Sequence, residues 1–280
     1  MGAFTYNAVR FLMGSLSLVP VVLLLERRNK KTENRKQKTE KSNLRLTWVV
    51  GVMGGLMVFF AANLQQFGIV LSDSPSSASE AGFITGMYII FVPILGLFLG
   101  RRVRPLIWIS AMLAFGGLAL ITTEGGISYF SLAHLLVLIC AIFWAAHILL
   151  IDRYVNNIRP ISFVAVQFLV CGALSLITAL IFEDISLQGI QDGIWVLLYG
   201  GIIASGIAYT LQAIGQKYVE PALAAIIFSM EALFAAFSEA LFLGETMTLQ
   251  KYIGGAIIFT GILLAQYNKK KPKPGSPPRT

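Results

Sequence analysis

"AVRFL" at residues 8–12 returns as "AVQFL" at residues 165–169, and the register of that return decides the fold. "LQQFG" at 64–68 is echoed by "LQAIG" at 211–215. "LFLG" stands at both 97–100 and 241–244, and "FGG" at 115–117 aligns with "FTG" at 259–261. Each short match is weak alone. Four in the same order make the second half of the chain a copy of the first. The first pair parts at one position, because Arg10 stands where the second copy carries Gln167. That arginine lies inside an apolar run that lasts to Leu25. A bare guanidinium in hydrocarbon costs a few kcal/mol on insertion scales and roughly 10 or more in some simulations, so it pairs, snorkels or functions.

The solvent of this chain is mainly lipid. It has 280 residues, 56% hydrophobic and only 13% charged, with a mean hydropathy of +0.74. Ordinary soluble proteins carry about 25% charged residues. Nine runs are long and apolar enough to approach the roughly 20 residues of a membrane-crossing helix: 5–25, 47–71, 77–99, 105–122, 131–151, 160–182, 191–214, 221–243 and 250–267. Turn residues punctuate the links, as in "SDSPSS", "EGGISY", "NNIRP" and "KYVEP". Cys140 and Cys171 fall in mid-segment, with no CxxC pair or disulfide framework, and read as packing residues. The N-terminus lacks the basic head and small-residue cleavage site of a signal peptide.

The basic residues give the expected topology. Of 22 Lys and Arg, 20 lie in the links after the first, third, fifth and seventh spans or in the C-terminal tail. The stretch 26–46 alone holds nine, and "RRVR" at 101–104 holds three. This positive-inside pattern puts the C-terminus in the cytoplasm and, with nine spans, the N-terminus outside. The net charge of +8 is therefore mostly topology, and nucleic acid is not expected as a partner. The lipid bilayer is, and the Pro-, Lys- and Gly-rich tail 268–280 is expected to be a disordered basic segment. Of the two repeats, 1–122 and 131–267, the second has five spans and the first four, with "AVQFL" opening a second helix and "AVRFL" a first. The expectation is an all-α integral membrane fold that is one helix short of a symmetric ten. An odd number of helices per repeat inserts the second copy upside down. Gln65 then lies in the outer half of its span and Gln212 in the inner half of its own. Inverted repeats are a recurrent device of secondary transporters.

"AGFITGMYIIFVPILGLFLG", "WAAHILLIDR" and "AAIIFSMEALFAAFSEALFLGE" resemble the EamA-type transporters of the drug/metabolite transporter superfamily, and the resemblance covers residues 3–267. It implies a multi-pass carrier of the bacterial inner (cell) membrane, with ten helices in two EamA repeats, moving small metabolites, often outward. A small-molecule substrate is the implied partner; a homodimer is allowed, and no cofactor or metal is called for. The sequence departs in two places. The family's first helix is absent, and the Gly-Glu that ends the fourth helix of each repeat survives as Gly244–Glu245 but becomes Gly100–Arg101 in the first.

Scattered polar residues within the spans are the candidates for substrate contact. Asn63 and Gln66 share a helical face, as do Trp144 and His147, and Tyr209 and Gln212; Thr85 and Tyr88 flank Gly86. By resemblance, the cavity is lined by the spans that carry these residues. Glu231, eleventh in a 23-residue span, is a proton-coupling candidate along with His147. The alternative for Glu231 is interhelical glue, and for His147 an ordinary packed helix. Glu239 shares the face of Glu231. For Arg10 a structural or gating role is favoured over substrate contact. His134 and His147 lie 13 residues apart without acidic neighbours at ligand spacing, so neither a metal centre nor an enzyme is expected. The reading is a carrier for metabolites such as amino acids or hydrophobic amines, with export as the direction that the resemblance implies. The rivals are a passive channel, which needs a continuous polar lining, a membrane enzyme, and a non-transporting membrane protein.

Overall fold

A computed structural model of the chain describes residues 1–32, 44–72, 77–122, 131–242 and 248–267, and every regular element among them is helical. The first half comprises α1 (Ala3–Thr32), α2 (Leu44–Leu71), α3 (Ser77–Thr85), α4 (Tyr88–Phe98) and α5 (Pro105–Thr122). The second comprises α6 (Leu132–Tyr154), α7 (Pro160–Phe182), α8 (Leu187–Asp192), α9 (Ile194–Leu198), a π-helical segment (Tyr199–Ala208), α10 (Tyr209–Gly215), α11 (Pro221–Phe228), α12 (Met230–Phe242) and α13 (Leu249–Gln266). Seven stretches are long and apolar enough to cross a membrane, and two shorter apolar helices, Pro105–Ile121 and Pro221–Ala235, fall on the remaining predicted spans.

The stretch expected as a basic loop, 26–46, is helical at both ends: α1 runs on to Thr32, and α2 begins at Leu44. Arg, Lys and Glu are good helix formers, and a helix already nucleated by apolar turns extends cheaply into water through such side chains. Residues 33–43, the tail 268–280 and the pair Gly244–Glu245 lie outside the described residues.

Two compact units cut across the repeats. One comprises Met1–Leu71 and Leu150–Tyr218, the other Ser72–Leu149 and Val219–Thr280. Within the first, α1 and α7 are the repeat-related pair, and their equivalent rings Phe11 and Phe168 stack on each other at 5.1 Å and 30°. Each of these helices then receives a partner from the other repeat over glycine. A Cβ on Gly55 of α2 would lie 2.7 Å from the Gln167 carbonyl, and one on Gly201 of the π-helical segment 2.9 Å from the carbonyl of Arg10, the equivalent residue. Such close backbone approach is how helices gain packing energy when lipid offers no hydrophobic contrast. The Ser205 hydroxyl donates to the Gly200 carbonyl five residues back at 2.7 Å, which supports the wider π turn.

In the second unit α5 packs along α13. A Cβ on Gly117 would meet the Gly254 carbonyl at 2.5 Å, and one on Gly261 the Ser110 carbonyl at 2.9 Å. The "FGG"/"FTG" alignment equates Gly117 with Gly261 and Ser110 with Gly254, so these two contacts are one contact repeated by the internal symmetry. Around them Ile89, Ile107, Ile148, Leu223, Ile226 and Ile258 form a buried apolar core.

Candidate functional site

In the second unit, two spans are broken at equivalent places. The third is interrupted between Thr85 and Tyr88, and the eighth at Ser229, between α11 and α12. The offset that separates the two "LFLG" copies carries Thr85 onto Ser229 and Met87 onto Glu231. Both breaks tighten to three-residue turns, with Met87 N donating to Ile84 O at 3.0 Å and Ser229 N to Ile226 O at 3.3 Å. Gly86 is pressed against the Leu118 side chain, so no larger residue fits there without a shift. The Ser229 hydroxyl donates to the Ile226 carbonyl at 2.6 Å. Interrupted apolar segments at corresponding positions of two repeats are where secondary transporters place substrate and coupling ions.

The predicted site residues of this unit are placed as follows. Thr85 is buried, with its hydroxyl 3.8 Å from Cys140 Sγ. Tyr88 packs on the apolar core. Trp144 and His147 do share a face, edge to ring at 5.8 Å and 82°, with His147 fully buried. Glu231 is exposed, and no hydrogen bond or ion pair reaches it from the described residues.

Sequence reasoning missed one pair. His134 Nε2 lies 3.1 Å from a Glu80 carboxylate oxygen, with both side chains largely buried. Ser131 N donates to His134 Nδ1 at 3.1 Å, so that nitrogen is the acceptor and Nε2–H faces Glu80. Ser131-x-x-His134 reads in hindsight as a capping box with histidine in the role of glutamate. Its partner, 54 residues earlier, had no local signal.

In the first unit, Asn63 is buried and engaged on three sides. It accepts from Asn7 Nδ2 at 3.0 Å and donates to Phe59 O at 2.7 Å and Ser175 Oγ at 3.1 Å, tying α1, α2 and α7 together. Gln66 and Gln212 are half-buried, and their amides have no hydrogen bond among the described residues. The Tyr209 ring meets Phe168 edge-on at 5.2 Å. Arg10 is half-buried, with its Cζ 4.4 Å from the Phe11 ring centroid and 5.1 Å from that of Tyr6. Among the described residues, no group of three or more His, Cys, Asp or Glu gathers as for a metal ion.

A family model described as the EamA-like transporter family matches residues 1–123 and 131–267. An "Uncharacterized transporter" of Archaeoglobus fulgidus is 26% identical over 94% of this chain and 77% of its own length. "Uncharacterized transporter YwfM" of Bacillus subtilis is 30% identical over 62% of this chain and 59% of its own length. The "WAT1-related protein At1g44800" of Arabidopsis thaliana is 30% identical over 46% of this chain and 36% of its own. A crystal structure of another protein has a similar fold, with a TM-score of 0.75 at 20% identity, over 95% of this chain and 87% of that one.

Proposed function

The chain belongs to the EamA-like transporter family, a multi-pass membrane transporter, and from that premise we propose that it is a secondary carrier exporting small metabolites by alternating access. The membrane is the cytoplasmic one, with the C-terminus inside, and the two repeats 1–122 and 131–267 act as inverted halves. The observation that carries this reading is the pair of helix breaks at repeat-equivalent positions, Thr85–Tyr88 and Ser229. Inverted repeats with interrupted helices give a fold two closely similar conformations, one open to each side.

Support for a substrate path comes from Glu231. It lies two residues past the break at Ser229, within an apolar span, and is exposed. An ionised carboxylate facing lipid is strongly disfavoured, so exposure at this depth favours a water-accessible surface. Thr85, Tyr88, Trp144 and His147 are the proposed substrate contacts of this unit, and, taken separately, Gln66, Tyr209 and Gln212 those of the other. Asn63 acts as a brace, because its amide is spent on its own helix and two neighbouring ones.

Counterflow in proteoliposomes tests the reading. The expected result is saturable exchange that accelerates when unlabelled solute is present on the opposite side. Flux linear in concentration, with no acceleration, would identify a channel instead.

A further inference from the structure

Arg10 is the one intramembrane cation of the first span, and its surroundings do not balance its charge. The side chain has no hydrogen bond or ion pair among the described residues, and its Nε is shut off from solvent without a partner. The guanidinium lies over Phe11, whose ring is fully buried, so the head is held inward and not carried to a membrane surface. Cation–π contact supplies about 0.5–2 kcal/mol, against a cost of a few kcal/mol for an arginine at depth. The internal symmetry shows what packing alone would require. At the equivalent position Gln167 is buried, and its Oε1 stands 3.0 Å from where a Cβ on Gly54 would be; Arg10 runs over Gly200 likewise, its Cδ 3.1 Å from a Cβ there. A neutral amide fills that niche in one copy. The other copy places a cation in it.

We propose that Arg10 is a specificity-determining residue that binds the carboxylate of a small solute. This deepens the carrier reading and rests on it. A guanidinium presents paired N–H groups in a planar fork that matches a carboxylate. The half-buried Tyr6 ring beside it suits an apolar or aromatic remainder. Of the two kinds of substrate the sequence leaves open, the geometry takes a carboxylate-bearing one over a hydrophobic amine, which like charge repels.

The test uses the purified full chain in phosphatidylcholine nanodiscs and three probes of one shape: phenylacetate, phenylacetamide and phenethylamine. Thermal stabilisation against concentration should give phenylacetate at least a tenfold lower apparent Kd than the other two. R10Q, which copies the equivalent position, should equalise all three while remaining monodisperse. R10K should keep part of the preference, since it keeps the charge and loses the fork. A wild type without carboxylate preference, or an R10Q variant that retains it, overturns the proposal. A second arm repeats the series in phosphatidylglycerol. If the preference vanishes there and R10Q releases anionic lipid that the wild type holds, the anion is a headgroup phosphate and the solute proposal falls. Exchange of preloaded probe in proteoliposomes is read separately. Binding through Arg10 with no exchange overturns the carrier reading and leaves the anion site standing; exchange indifferent to Arg10 does the reverse.

Discussion

Glu183 closes the start of the first helix from the end of the seventh, and removing its carboxylate should be among the costliest single changes in the first unit. One oxygen accepts from Phe4 N at 2.9 Å, and the other from Thr5 N at 2.8 Å and Thr5 Oγ1 at 2.7 Å. The amides of a first helical turn have no partner within the helix, and a carboxylate there also meets the positive end of the helix dipole. Losing a capping side chain costs about 0.5–2 kcal/mol. Thr5 is only 3% exposed, so its stranded donors recover little from solvent, which adds about 1–2 kcal/mol. Glu183→Ala should therefore lose about 3 kcal/mol. Glu183→Gln, which keeps an acceptor oxygen and loses the charge, should lose about half as much. Thr5→Val removes one of the three bonds and should cost about 1 kcal/mol. Reversible unfolding in mixed micelles, followed by tryptophan fluorescence, measures all three. The double variant should be less destabilised than the sum of the singles by about 1 kcal/mol, because the Thr5 hydroxyl bond is counted in both. A Glu183→Ala protein within about 0.5 kcal/mol of wild type, or strictly additive singles, would show that the cap is not holding α1 to α7.

Gly254→Ala should destabilise by about 1–3 kcal/mol, because a Cβ would press to 2.6 Å from the Gly117 carbonyl, whereas Gly116→Ala, which meets nothing within 4 Å, should be neutral or slightly stabilising; thermal midpoints of the two variants decide it. Arg104 Nη2 donates to the Ala265 carbonyl at 3.1 Å at the end of α13 and lies 3.8 Å from Glu220. Arg104→Ala should thus cost about 1 kcal/mol, and a midpoint unchanged in low salt would count against that bond. A reporter active only in the cytoplasm should work after Thr280 and fail at Met1; activity at both ends refutes the odd span count. Glu231→Gln keeps the side chain's shape and removes its titration, so it should retain solute exchange and lose pH-driven accumulation. Intact pH dependence in that variant would end the coupling role and leave His147 as the next candidate.

The spans were legible because apolar length is set by bilayer thickness, a constraint that each segment carries by itself. The shorter segments 105–122 and 221–243 were recognisable for the same reason, although the second is in fact two helices. Its break at Ser229 has no proline and no glycine to announce it. The sequence does show Gly86 at the equivalent place, and only the repeat register links the two. Asn63 read as a substrate group because a polar residue in an apolar span is conspicuous; what its amide meets depends on Asn7 and Ser175, both far along the chain. The Glu80–His134 pair escaped for the same reason, since neither residue carries a local sign of the other.

The grouping of helices into units follows from inversion more directly than from chain order. If two copies of one segment are related by a two-fold axis, the residues nearest that axis meet their own equivalents. Phe11 meets Phe168, and the contact of Gly117 with Gly254 returns as that of Gly261 with Ser110. A helix and its copy therefore pack together, and a compact unit must draw on both halves of the chain. That is why Met1–Leu71 is completed by Leu150–Tyr218, not by the residues that follow it. It also sets what symmetry-breaking means here. Where a pair of equivalent positions packs over glycine in the same way, packing makes a similar demand of both, and a difference in charge needs a cause other than packing. Gln167 satisfies the demand with a neutral amide. Arg10 exceeds it by one positive charge that no described residue answers.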